Sequence, residues 1–216
     1  MRKRSPITIP SIPIEIQPIW DELIDKYKSS VVIISGGWNF TETFWYLAHT
    51  HNNSILLHSV SSHLHAEIGN YKFDDSYRLL KSVVLEGFFS LRESLARLVN
   101  VVYTLGENAP KSGASGRILK KAKSRNLTVA DYLNQLIPKT SGLGSYLEKY
   151  RHPYVHREDL SRVSIQDITK AMIGAEQPRI TEFITESYET SRWMQEIESY
   201  IAKECATRLK ISLDSI

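Results

Sequence analysis

The clearest periodicity in the chain lies between Tyr77 and Val102. Tyr77, Leu80, Val84, Phe88, Leu91, Leu95, Leu98 and Val102 recur at steps of three and four, the spacing that lines one face of an α-helix with apolar side chains. Asp74 or Asp75 supplies an N-cap, because a short carboxylate can accept from the free amides of a first turn. Gly106 marks the end. A flank of Leu79, Val83, Phe89 and Val99 predicts burial on more than one side.

Weaker patterns surround this helix. Residues 1–18 carry Pro6, Pro10, Pro13 and Pro18 with Ile at alternating positions, which predicts an extended arm ahead of a single domain over 19–216. A short helix is predicted over Trp20–Lys28. Val31–Ile34, before Gly36-Gly37, reads equally as a strand or a buried turn. Trp38, Thr41, Trp45 and Ala48 share a helical face; Asn52-Asn53-Ser54 interrupts it, and helix resumes over Ile55–Ile68. Beyond the loop Asn108–Ser115, helices are predicted over Arg117–Arg125 and over Thr128–Ile137, the latter capped by Thr128 with Asp131 three residues on. A helix over Ser145–Tyr150, a capped one over Ser164–Met172, a turn at Gly174–Pro178 and a last helix over Thr181–Leu209 complete the chain, with Ile184, Tyr188, Ile197, Ile201 and Leu209 inward. The sum is an all-α helical bundle.

Composition narrows the class. With 216 residues, 42% apolar and 24% charged, the chain has the material for one hydrophobic core. Its single cysteine, Cys205, excludes an internal disulfide framework and suits a reducing cytoplasm. The basic start, Met1-Arg2-Lys3-Arg4, leads into prolines rather than the apolar run of a signal peptide. No apolar stretch is long enough for a membrane span, so no membrane partner is expected. A net charge of +3 permits nucleic-acid binding without arguing for it.

The chemistry concentrates at Arg151-His152-Pro153-Tyr154-Val155-His156. On a regular helix, positions five apart stand about 140° apart around the axis, too wide for one small site. Proline disfavours helix at the residue before it and suits a first helical position. The sequence therefore predicts a helix opening at Pro153, with His156 in its first turn and Arg151 just ahead. Both side chains then converge where free backbone amides favour an anion.

This segment resembles the Arg-x4-His signature of the HEPN superfamily, in which Asn, Asp or His follows the Arg; His152 fills that slot. The resemblance covers six residues, supported by the placement of the motif late in a helical chain. It implies a HEPN-type bundle, here with additional N-terminal helices, and a homodimer in which two Arg/His pairs face one cleft. It implies a metal-independent endoribonuclease in which the RNA 2′-OH attacks the adjacent phosphorus. Arg151 then stabilises the phosphate, His156 moves protons, and His152 orients or contacts the phosphate. Histidine and arginine suit those tasks by pKa and by the planar fork of the guanidinium. No cofactor or metal is called for. Relatives of this type serve as toxins or phage-defence effectors acting on RNA, tRNA included, under an antitoxin or regulatory protein. Some carry a modified Tyr two residues after the His; here Glu158 stands there, which puts that control in doubt. The alternative function is a non-catalytic HEPN-like module that binds RNA, nucleotides or protein. Without the resemblance, Arg151 and His156 read as a surface cap paired with Glu158 or Asp159.

Further features carry candidate roles. Lys111, Arg117, Lys120, Lys121, Lys123 and Arg125 form a basic stretch free of acidic residues between Glu107 and Asp131. They and Arg157 are candidate RNA-backbone contacts, with a solvated helix face as the alternative. The Gly/Ser-rich loop 111–116 lacks the Gly-Lys-Ser/Thr ending of a phosphate-binding loop. His49, His51, His58, His63 and His65 lack metal-ligand spacing and read as surface or capping residues. Trp38, Phe40, Phe44, Trp45 and Tyr46 suit base stacking, or a core or dimer interface. Glu86 and Glu93 suit either neighbouring the motif or surface pairing with Arg97 or Arg92.

Overall fold

A computed structural model describes residues 15–31, 38–71, 75–107, 113–157 and 177–214. These residues form seven helices: α1 (Gln17–Val31), α2 (Trp38–Ala66), α3 (Asp75–Val102), α4 (Ala114–Ser124), α5 (Val129–Leu136), α6 (Gly142–Arg157) and α7 (Gln177–Arg208). Among the described residues there is no strand, and the class is all-α. The expected arm is described only at its end, where residues 15–16 form a turn, Ile16 is buried, and α1 has begun at Gln17. Residues 32–34 of the expected strand or turn, the helix over Ser164–Met172, Lys111, Glu158 and Asp159 lie outside the described residues.

All eight positions of the α3 stripe, Tyr77 through Val102, are buried. Each large apolar side chain so placed contributes at most about 1.5–3 kcal/mol against the extended chain. The second flank is correct only in part: Val99 is buried, whereas Leu79 is 59% exposed. α2 packs most extensively against α3. Gly87 of α3 makes that approach possible, since a Cβ there would lie 3.3 Å from Leu57 Cδ1 of α2. The matched pairs Leu57–Gly87 and Asn53–Ser94 run in opposite chain directions, so α2 and α3 are antiparallel. α7 lies along both. It is antiparallel to α2, through His65–Tyr188 and His58–Glu198, and parallel to α3, through Tyr77–Phe183 and Tyr103–Glu204. α1 closes the α2–α7 seam, α4 and α5 cover the end of α3, and α6 packs on α3 and α7.

Four expected helix ends, caps and breaks need correction. α2 is unbroken through Asn52-Asn53-Ser54: Asn52 is exposed, whereas Ser54 is buried and donates to Glu198, and Asn53 donates to Ser94. Thr128 has helical dihedrals and makes no side-chain cap. α7 begins at Gln177, so Pro178 sits in its first turn, where a missing N–H costs nothing. α3 ends not on Gly106 but at Val102. Thr104 adopts φ 50°, and Leu105 N–H donates to Asn100 O at 2.9 Å, the six-to-one closure of a left-handed helix end. Asn126 and Lys210 close α4 and α7 in the same way.

The polar interior is the least expected feature. Glu198 of α7 and His58 of α2 are both fully buried, with Nε2 of His58 2.5 Å from Oε1 of Glu198. The other carboxylate oxygen accepts from Trp20 Nε1 at 2.9 Å and Ser54 Oγ at 2.6 Å. Nδ1 of His58 lies 2.5 Å from Ser191 Oγ. One carboxylate thus ties α1, α2 and α7 together, and His58 is a core residue rather than a surface or capping one.

Candidate functional site

α6 carries the Arg151–His156 segment. Leu143, Tyr146 and Leu147 are buried at steps of three and one, which seats one face of α6 on the bundle. Two phenols fix its rotation: Tyr146 OH lies 2.6 Å from Ser187 Oγ, and Tyr150 OH donates to Glu186 Oε2 at 2.9 Å. Arg151 consequently meets α3. Its Nε donates to Glu86 Oε1 at 3.2 Å and its Nη2 to Glu86 Oε2 at 3.5 Å. Its guanidinium carbon lies 3.9 Å from the centroid of Phe89. Glu86 and Phe89 are three apart on α3 and so share a face.

This seat is ordered yet open. The Arg151 side chain is 23% exposed and that of Glu86 47%. An exposed ion pair contributes about 0–1 kcal/mol, and the contact with the ring about 0.5–1 kcal/mol. A phosphate offers the same planar fork a stronger, charge-assisted partner.

The predicted helix opening at Pro153 is not found. α6 runs without interruption from Gly142 to Arg157, and Pro153 lies inside it. The upstream anchors on α3 and α7 hold the helix, so the proline is accommodated at the cost of the bond that its missing N–H cannot make to the Lys149 carbonyl. Positions 151 and 156 therefore stand about 140° apart around one axis. The side chains of His152, His156 and Arg157 lie outside the described residues.

The basic stretch mostly serves the protein itself. Arg117 Nε and Lys121 Nζ each reach Glu107, both at 2.8 Å. These two cations, Lys121 first, hold the Glu107 carboxyl below its usual range. Lys121 also donates to Leu105 O, and Arg125 to Tyr103 O and Thr104 O. Those carbonyls belong to the end of α3, where cations complement the helix dipole. Lys123 donates to Asn134, and Lys120 is exposed.

Glu86 neighbours the motif, one of the two roles open to it. Glu93 instead accepts from Arg92 at 3.1 Å and from Ser115 at 2.9 Å. Next to Phe89, along the α2–α3 seam, lies an open cleft of about 280 Å³ walled by Trp45, Tyr46, His49, Ser90, Glu93 and Arg97. Trp45 is 56% exposed and stacks on His49, ring centroids 4.9 Å apart. Sequence spacing could flag Trp45, but not the pairing of its helix with Arg97. Among the described residues no group of three or more His, Cys, Asp or Glu is placed to hold a metal, and no helix is long and apolar enough to cross a membrane. No family model matches the chain, and neither a curated protein nor a solved structure matches it.

Proposed function

We propose that this chain is a HEPN-like bundle protein that cleaves RNA without a metal, as a homodimer. Arg151 carries the reading: its partly exposed guanidinium lies over the Phe89 ring and, among the described residues, pairs with the exposed carboxylate of Glu86. Phosphate displaces Glu86 and meets a pre-oriented fork. His156 takes the 2′-OH proton or supplies one to the leaving 5′-oxygen, and the products are a 2′,3′-cyclic phosphate and a 5′-OH. Because a continuous α6 sets the two positions about 140° apart, each composite site draws Arg151 from one protomer and His156 from its partner. Such an activity suits a toxin or phage-defence effector restrained by a regulatory protein.

The test is cleavage of a mixed-sequence RNA in EDTA. Wild type is expected to cut, and Arg151→Ala and His156→Ala to lose activity. A heterodimer of the two variants keeps one intact composite site and regains up to half. Equal cutting by either single variant refutes the assignment, and a dead heterodimer refutes the shared site. A non-catalytic module binding RNA, nucleotide or protein is the second reading. The Glu86–Arg151 pair favours it, since a neutralised arginine stabilises a transition state less. RNA binding with no cyclic-phosphate product would establish that reading instead.

A further inference from the structure

We propose that the cleft between α2 and α3 is a base-stacking subsite for single-stranded RNA, a deepening that rests on RNA being the substrate. Three observations converge there. Trp45 presents more than half of its surface to solvent, and His49 stacked behind it braces the ring. An exposed, braced indole offers a π-face to any base, whatever its identity.

Arg97 lines the same cleft, and its natural helix partner, on the same wall, already accepts two bonds on one carboxylate oxygen. Glu93, four residues earlier on α3, is held by Arg92 and Ser115. A phosphate attached to the stacked base therefore finds a cation at the cleft wall. The cleft also adjoins the seat of Arg151 through a shared residue: Phe89 lies under the Arg151 guanidinium and also lines the cleft. On α3, Glu86 and Arg97 are separated by about 16 Å of helix. A strand crossing this face meets Arg151 at one end and the Trp45–Arg97 cleft at the other. At about 280 Å³ the space suits one base with its sugar rather than a larger ligand.

The experiment measures binding of an unstructured, fluorescently labelled octanucleotide RNA by anisotropy, with 5′-AMP as competitor. Wild type, Trp45→Ala, Trp45→Phe and Arg97→Ala are compared, with thermal unfolding as the folding control. Trp45→Ala is expected to weaken binding roughly 5- to 150-fold, and Trp45→Phe to restore most of it. Arg97→Ala should reduce the slope of log K against log salt by about 0.7. Unchanged affinity in folded Trp45→Ala overturns the subsite, whether or not RNA is cut. So does a dimer that dissociates in Trp45→Ala while each protomer binds RNA as before, because a second copy then covers the indole. Trp45-dependent binding without cleavage supports the subsite while refuting the nuclease.

Discussion

Glu198 offers the sharpest test of what holds the bundle together. Its two oxygens face Trp20 Nε1, Ser54 Oγ and His58 Nε2, all away from water. Glu198→Ala leaves the indole N–H and the imidazole without an acceptor; the Ser54 hydroxyl can turn to a backbone carbonyl of its own helix. Each orphaned group costs about 1–3 kcal/mol, and the emptied volume adds to it. The two groups alone give about 2–6 kcal/mol, a range that brackets the roughly 3–5 kcal/mol for breaking a buried pair. Glu198→Gln is different. Its carbonyl can keep Trp20 and Ser54, and its amide can donate to a neutral His58 whose Nδ1–H turns to Ser191, so the cost falls to about 1–2 kcal/mol. Urea unfolding followed by circular dichroism at neutral pH reads both, provided that the slope m stays constant. If Glu198→Ala comes within about 1 kcal/mol of wild type, the network carries no stability. If Gln costs as much as Ala, satisfaction of hydrogen bonds is not what the carboxylate supplies.

Three further expectations concern the backbone and the phenols. Thr104 holds φ 50° with a β-branched side chain, so Thr104→Gly is expected to raise stability by about 1 kcal/mol in the same urea assay, and a loss would refute the strain. A Cβ at Gly144 would lie 1.8 Å from the Pro138 carbonyl oxygen, whereas none meets a neighbour at Gly116. Gly144→Ala should therefore cost about 1–3 kcal/mol or more and Gly116→Ala should gain about 0.5–1 kcal/mol, and equal thermal midpoints would refute the contrast. Burial pushes the Tyr103 and Tyr146 phenols upward and Tyr150 up to about 12. Their folded values exceed the unfolded value near 10, so the stability they carry is complete below that pH and is lost as pH rises through the raised values. Ultraviolet titration should show these phenols ionising late and together with unfolding; release near pH 10 in the folded protein would refute it.

How much of this was legible varied with what each residue contacts. The α3 stripe was plain because burial there follows a simple helical period. Asn52-Asn53-Ser54 misled because polar side chains usually mark an exit from helix, and only a partner from a distant helix, Glu198, makes Ser54 a core residue. Glu198 itself occupies the apolar register of α7, four residues after Met194 and three before Ile201. A charge in that register points to a buried partner, but the chain does not say which of five nearby histidines it is. The intramolecular partners of the basic stretch were equally hard to read. Arg117 and Lys121 fold back on Glu107, at the very edge of the acid-free stretch, Lys123 reaches the Asn134 amide, and Lys121 and Arg125 also bond backbone carbonyls, which leave no mark on a sequence. At the candidate site, Arg151 was legible as a residue type, while its seat on Glu86 and Phe89 depended on how α6 rotates against α3.

Pro153 decides between the two accounts of that site, and it can be read by stability alone. Were a helix to open at Pro153, the residue would sit where a missing N–H costs nothing. Pro153→Ala would then be neutral or slightly destabilising, since a rigid, well-placed proline limits the unfolded chain. Inside a continuous α6 the same substitution returns a donor to the Lys149 carbonyl and replaces the poorest helix former with the best, and it is expected to stabilise by up to about 3 kcal/mol. Amide hydrogen exchange localises the effect. In the continuous helix, the amides of residues 154–157 should slow in Pro153→Ala, because helix past position 153 no longer lacks a bond. Unchanged exchange there, together with a loss of global stability, would return the helix start to Pro153. Arg151 and His156 would then belong to one protomer's anion pocket rather than to a site shared between two.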